Sequence, residues 1–304
     1  MASILEGLPR GTRTGLISGG ILLVWAFGEG SWLLGLIAVA VLAVTGRNYY
    51  ARHLKKPEPW PWPPHLRDQA EALARPIDPT PKRILPADEK TALVAKVATT
   101  KDDLARLVAD KPPAWPWALF ASVLVQRRNA LGARLRDVAS GYQPRSGIAP
   151  LSGPTYSQTA QQAMNTIVDI CAQLEQFMLS PAFKGAFGQA GSNSDTDADA
   201  DAVTGVANRL MDYHQSLLVQ AETCLQTPVD GDEIVFVQDV GALTLQPLIG
   251  YDIFISTMCA RVGQAQDLLP YGKGVIELDE VALAIDMPEG LSERIHAHFQ
   301  RLNS

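Results

Sequence analysis

Residues 15–45 read GLISGGILLVWAFGEGSWLLGLIAVAVLAVT, and this stretch decides how the chain is organised. Two apolar runs, 15–27 of 13 residues and 32–45 of 14, are split by the polar break GEGS. A single spanning helix needs about 20 apolar residues, which neither run supplies alone. Joined into one helix, the runs would place Glu29 near the bilayer centre, where a charge is costly. Folded back on themselves, they carry Glu29 to the far interface. Gly28 and Gly30 give such a turn its backbone freedom. Trp25 and Trp32 flank the tip, at the depth where amphipathic aromatic rings settle. The expected element is a membrane helical hairpin over 12–46. Each leg, with its uncharged flanks, reaches about 16 to 18 residues, a slightly thin crossing. A hairpin that enters one leaflet and a buried hairpin of a soluble domain are the competing readings. A cleaved signal peptide fits less well, because a second apolar run follows at once.

The flanks set the orientation. Arg10 and Arg13 precede the hairpin, and Arg47, Arg52, Lys55 and Lys56 follow it. A hairpin puts both flanks on one side, and an excess of Lys and Arg marks that side as cytoplasmic. Residues 1–56 carry six Lys/Arg against two Asp/Glu, while the rest carries 20 against 30. The basic collar suits anionic lipid. The acidic remainder argues against nucleic acid as a partner, because phosphate binding needs a basic face. Cys171, Cys224 and Cys259 are isolated, odd in number and outside any CxxC arrangement. That pattern fits reduced thiols used as small core residues.

Residues 57–86 read as a Pro/Trp-rich connector. It opens with PEPWPWPP at 57–64, whose prolines forbid helix interior and strand pairing. Trp60 and Trp62 alternate within it as candidate contacts for lipid or a partner, or as plain linker residues. His65–Arg75 has the pattern of a short helix.

A helical-bundle body is expected over 87–304. ADEKTALVAKV at 87–97 reads as helix, and Thr99 or Thr100 as the N-cap of KDDLARLVAD. Lys111, Pro112 and Pro113 stop that helix. Over 114–139, Phe120, Leu124, Arg127, Leu131, Leu135 and Val138 form one stripe, closed by Gly141. Arg127, Arg128, Arg134 and Arg136 make this the most basic part of the body. They are read as a solvated face or an internal counterpart to the acidic residues, with Arg127 and Arg128 as candidate lipid or partner contacts. Two strong seams follow: Ala160, Met164, Ile167, Cys171, Leu174 and Met178, then Val203, Ala207, Leu210, His214, Leu217, Ala221 and Cys224. Spacings of four and three favour coiled-coil-like packing, here as an antiparallel pair. Both seams also need partners from 114–139 and 250–269. A helix is expected from Glu233 to Leu245, ended by Pro247, and another from Tyr251 to Leu269. Gly274–Asp286 alternates and reads as a small extended element, with a last helix after Pro288.

The fold class is therefore mostly α: an N-terminal membrane helical hairpin, then a cytoplasmic helical bundle with a small extended element near the C-terminus. No catalytic residue, cofactor site or metal site is assigned. The alternating Asp195, Asp197, Asp199 and Asp201 resemble a calcium loop, but Ala200 and Val206 stand where its glycine and closing glutamate belong. They read as a solvated loop capping the next helix. His214 lies on a seam and reads as a core residue. His296 and His298, two apart on a helix, point in different directions and cannot share a metal. The function expected is a membrane-anchored interaction or scaffold protein, bound to lipid and to a protein partner and able to form a homo-oligomer. An enzyme with an unrecognised site in the bundle and a membrane-active oligomerising factor are the alternatives. Gly19, Gly20 and Gly35 would allow close helix approach in the latter.

Overall fold

The computed structural model describes residues 62–80, 95–141, 155–188, 198–229, 233–268, 281–285 and 288–302. The expected hairpin, with Trp25, Gly28, Glu29, Gly30 and Trp32, lies outside the described residues, as does Trp60. The described residues are mostly helical and contain no strand. They fall in one compact unit, Pro59–Gln143 with Ser152–Ser304.

Nine helices occur among them: α1 Pro64–Leu73, α2 Lys101–Asp110, α3 Trp115–Ala130, α4 Gly132–Ala139, α5 Tyr156–Leu179, α6 Pro181–Ala186, α7 Ala200–Gln226, α8 Ile234–Leu268 and α9 Leu291–Leu302. Helix α7 is the hub and packs on α3, α4, α5, α6 and α8. Its expected seam is buried along its full length, from Val203 to Cys224. Helices α5 and α7 run antiparallel. Thr227 at the end of α7 meets Thr159 at the start of α5, while Phe177 near the end of α5 meets Tyr213. The seam of α7 meets both expected partners, α3 and α8, whereas α5 packs on α7, α6 and α8.

Local signals set most helix ends. Thr100 accepts the Asp103 N–H at 3.1 Å and caps α2. Lys111 closes it in the left-handed region at φ 43°. Thr155 and Gln158 form a reciprocal capping box at α5. Asp199 caps α7 through the N–H groups of Asp201 and Ala202, as expected of the acidic run. A cap from a distant segment is added at α5, where the buried Glu233, just before α8, accepts from Ser157 N and Oγ at 3.1 and 2.7 Å.

Four expectations are corrected. Residues 95–97, expected to end the helix of 87–97, are non-helical. Ser122 and Gln126 of α3 take the N–H and carbonyl of Ala98, and Ala95 N–H donates to Pro113 O, so tertiary hydrogen bonds override local propensity. The 114–139 helix is broken at Leu131 before Gly132, which has little helix preference. The stripe also errs by one residue, because the cation it buries is Arg128 rather than Arg127. Finally, α8 runs through Pro247. Proline gives no N–H to the Leu243 carbonyl, yet Leu245, Leu248 and Tyr251 are buried on both sides of it and hold the helix in place.

Residues 281–285 form no helix or strand. Their alternation persists: Val281, Leu283 and Ile285 pack against the core, and Ala282 and Ala284 are exposed. This segment approaches α8 at Gly250, where an added Cβ would lie 2.6 Å from Ala284 O. Gly250→Ala should therefore push 281–285 away and lower stability by about 1–3 kcal/mol. Urea unfolding measures this, and an unchanged midpoint would show that the approach is not tight.

Candidate functional site

The ionisable groups of the body converge at the junction of α3, α7 and α8. Arg128 projects from α3 and is 0% exposed. Its Nε donates to Asp252 Oδ1 of α8 at 2.9 Å, and its Nη2 pairs with Asp252 Oδ2. Nη2 also donates to Leu73 O at 2.9 Å and Nη1 to Arg75 O at 2.7 Å, at the C-terminal end of α1. The guanidinium thus neutralises a carboxylate and caps a helix whose last carbonyls otherwise lack partners. Burial pushes the Asp252 carboxyl above its ordinary value, against the pull of the Arg128 bonds.

Two further arginines of the same basic stretch reach α7. Arg127 Nη1 donates to Asp212 Oδ1 and Asn208 O, each at 2.9 Å. Arg134 binds Glu222 through two bonds of 2.7 and 2.6 Å. Those bonds hold the Arg134 guanidinium above its ordinary value. Arg136 is exposed. The internal role weighed for this stretch is the one that Arg127, Arg128 and Arg134 have, and buried Arg128 is unavailable to lipid or partner. The same holds for Trp62, which is 3% exposed and donates from Nε1 to Val138 O at 3.2 Å.

His214 lies inside this layer, 0% exposed, with its ring edge against Tyr251 at 4.9 Å. Neither ring nitrogen has a hydrogen-bond partner among the described residues. The Tyr251 hydroxyl donates to Leu210 O. Burial, reinforced by Arg128, Arg127 and Arg134, lowers the His214 pKa to about 3. A neutral, sealed imidazole cannot meet a substrate, so its role here is core packing. Burial also pushes the Cys224 and Cys259 thiols up to about 12, which makes them poor nucleophiles. Among the described residues, no group of His, Cys, Asp and Glu could hold a metal ion. His296 is exposed, whereas His298 stacks on Phe236 at 3.9 Å, so the two do not converge.

An open groove of about 390 Å³ lies elsewhere, between α1, α8 and α9. Leu66 and Ala242 form its apolar part. Gln69 and Gln246, 3.4 Å apart, lie on one wall, and the Asp239–Arg294 ion pair of 3.0 Å on another. Amides and a neutralised ion pair suit polar contact rather than proton transfer. Sequence reasoning missed this groove because it read 57–86 as a connector, with His65–Arg75 as no more than a short helix within it. The available signal was the spacing of Trp62, Leu66, Ala70 and Leu73, one face of a helix. No known family, curated protein or solved structure matches the chain.

Two measurements test this reading. Arg128→Met strands the Asp252 carboxylate and should cost about 3–5 kcal/mol, with part recovered by adding Asp252→Leu. A loss under about 1 kcal/mol would show that the pair does not hold the helices. For His214, the folded pKa lies below the unfolded value of about 6.5, so the unfolded chain binds the proton more readily between the two. Stability should then fall as pH drops from about 6.5 towards 3, by on the order of 1 kcal/mol per pH unit. His214→Leu should flatten that slope and leave stability at pH 7 equal or higher. A slope unchanged by the substitution would place the acid sensitivity in another group.

Proposed function

We propose that this chain is a membrane-anchored interaction protein. A hairpin over 12–46 holds it in lipid with both ends on the cytoplasmic side, and its acidic helical body docks a protein partner there. The anchor reading rests on the paired apolar runs and their basic flanks. No helix among the described residues is long and apolar enough to cross a membrane.

The docking reading is carried by one contrast. The convergent ionisable groups are spent on holding helices together, while large apolar side chains stand outside. Val168 of α5 and Val219 of α7 are 60% and 40% exposed. The antiparallel register that pairs 159 with 227 and 177 with 213 puts these valines at the same height. Leu179 at the end of α5 is also exposed. We take these exposed apolar side chains of two neighbouring helices as the docking face.

The test is cross-linking in native membranes, comparing the wild-type chain with Val168→Asp/Val219→Asp. Both sites are exposed, so the double variant should keep its stability within about 0.5 kcal/mol. It should stay in the carbonate-resistant fraction and lose cross-linked partner bands. A variant that retains every band would sink the docking face, and a wild-type chain released by carbonate would sink the anchor.

A further inference from the structure

The groove between α1, α8 and α9 has a dry floor and polar walls. Leu66 and Ala242, which form the floor, are both buried. Its volume of about 390 Å³ falls in the range of pockets that hold small ligands.

The polar side chains of the walls are held in place, yet only half of their capacity is used. Gln246 Nε2 donates to Gln69 Oε1 at 3.4 Å, which leaves the Gln69 amide N–H groups and the Gln246 oxygen without partners among the described residues. Arg294 donates from Nε to Asp239 Oδ1 at 3.0 Å and from Nη1 to Glu289 O at 3.1 Å. Arg294 Nη2 and Asp239 Oδ2 stay open in the same way. Each pair therefore offers one fixed donor and one fixed acceptor side by side.

Spacing and charge select what fits. Asp239 and Gln246 are seven residues apart on α8. At about 1.5 Å per residue, the two pairs stand about 10 Å apart along the helix. A peptide main chain repeats one donor and one acceptor per residue, and about three extended residues cover that interval. The ion-pair end also carries surplus negative charge. Arg294 Nη1 and Glu293 Oε2 lie 3.5 and 4.0 Å from the Cβ position at Gly290, so one guanidinium there meets the carboxylates of Asp239 and Glu293. That surplus favours a cation, and Asp239 Oδ2 is the open acceptor for it.

We propose that this groove binds an extended peptide segment that carries a Lys or Arg side chain at its Asp239 end. Gln69 and Gln246 hold the main chain of the peptide. The methylenes of its basic side chain lie on Leu66 and Ala242, and the charged head meets Asp239. The site is separate from the docking face on α5 and α7 and does not depend on it.

Fluorescence anisotropy tests this with the full-length chain in neutral detergent. The probe is the fluorescent, end-blocked peptide Ala-Ala-Lys-Ala-Ala, and its counterpart has Glu in place of Lys. Saturable binding of the Lys peptide with a Kd below about 1 mM is expected, with the Glu peptide about fivefold weaker. Gln69→Ala/Gln246→Ala should weaken the Lys peptide about tenfold. Asp239→Asn should shrink the preference for Lys over Glu, and it carries the test if a thermal melt shows the double variant to be unfolded. No saturation at about 1 mM, equal affinity for the two peptides, or a folded double variant that binds like the wild type would each overturn the proposal.

Discussion

The buried guanidinium of Arg128 is the constraint around which the body closes. Its four hydrogen bonds reach α8 through Asp252 and the end of α1 through two carbonyls. A buried ion pair adds little net stability, because desolvation offsets the attraction. What it adds is intolerance of alternatives. Any packing that moves α8 or α1 away leaves a cation in the core with donors unmet. Two elements distant in sequence are thereby fixed relative to α3.

Around that point the interior separates polar from dry. Helix α7 presents an unbroken apolar seam to its neighbours, and His214 fits the seam because burial keeps it neutral. The arginines near it are matched by Asp212, Glu222 and Asp252, so their charge is spent within the fold. Chemistry that needs an exposed acid or base has no place in this layer. The same residues account for the basic appearance of 127–136 in an acidic body: the arginines are the counterions of the bundle.

Aromatic packing pins the connection between α5 and α7. Phe183 and Phe187, on and just after α6, meet Phe120 of α3 edge-on. Trp117 stacks on Phe187 at 4.1 Å. The short helix therefore closes the end of the bundle.

The sequence by itself determined the helical class, both long seams, their mutual antiparallel packing and most caps. These are local matters, because a period of 3.6 and a side chain three residues from a free N–H are written in neighbouring residues. It also identified His214 and Cys224 as core residues from seam phase alone. The tertiary structure decided what depends on distant partners. Composition placed Trp62 in a connector, but the Val138 carbonyl and the α1 seat draw it into the core. Periodicity favoured Arg127 for the stripe, whereas Asp252 and the end of α1 select Arg128 for burial. Pro247 reads as a stop, but packing on both sides carries α8 through it. In each case a contact far along the chain outweighed a local preference of about 1–3 kcal/mol.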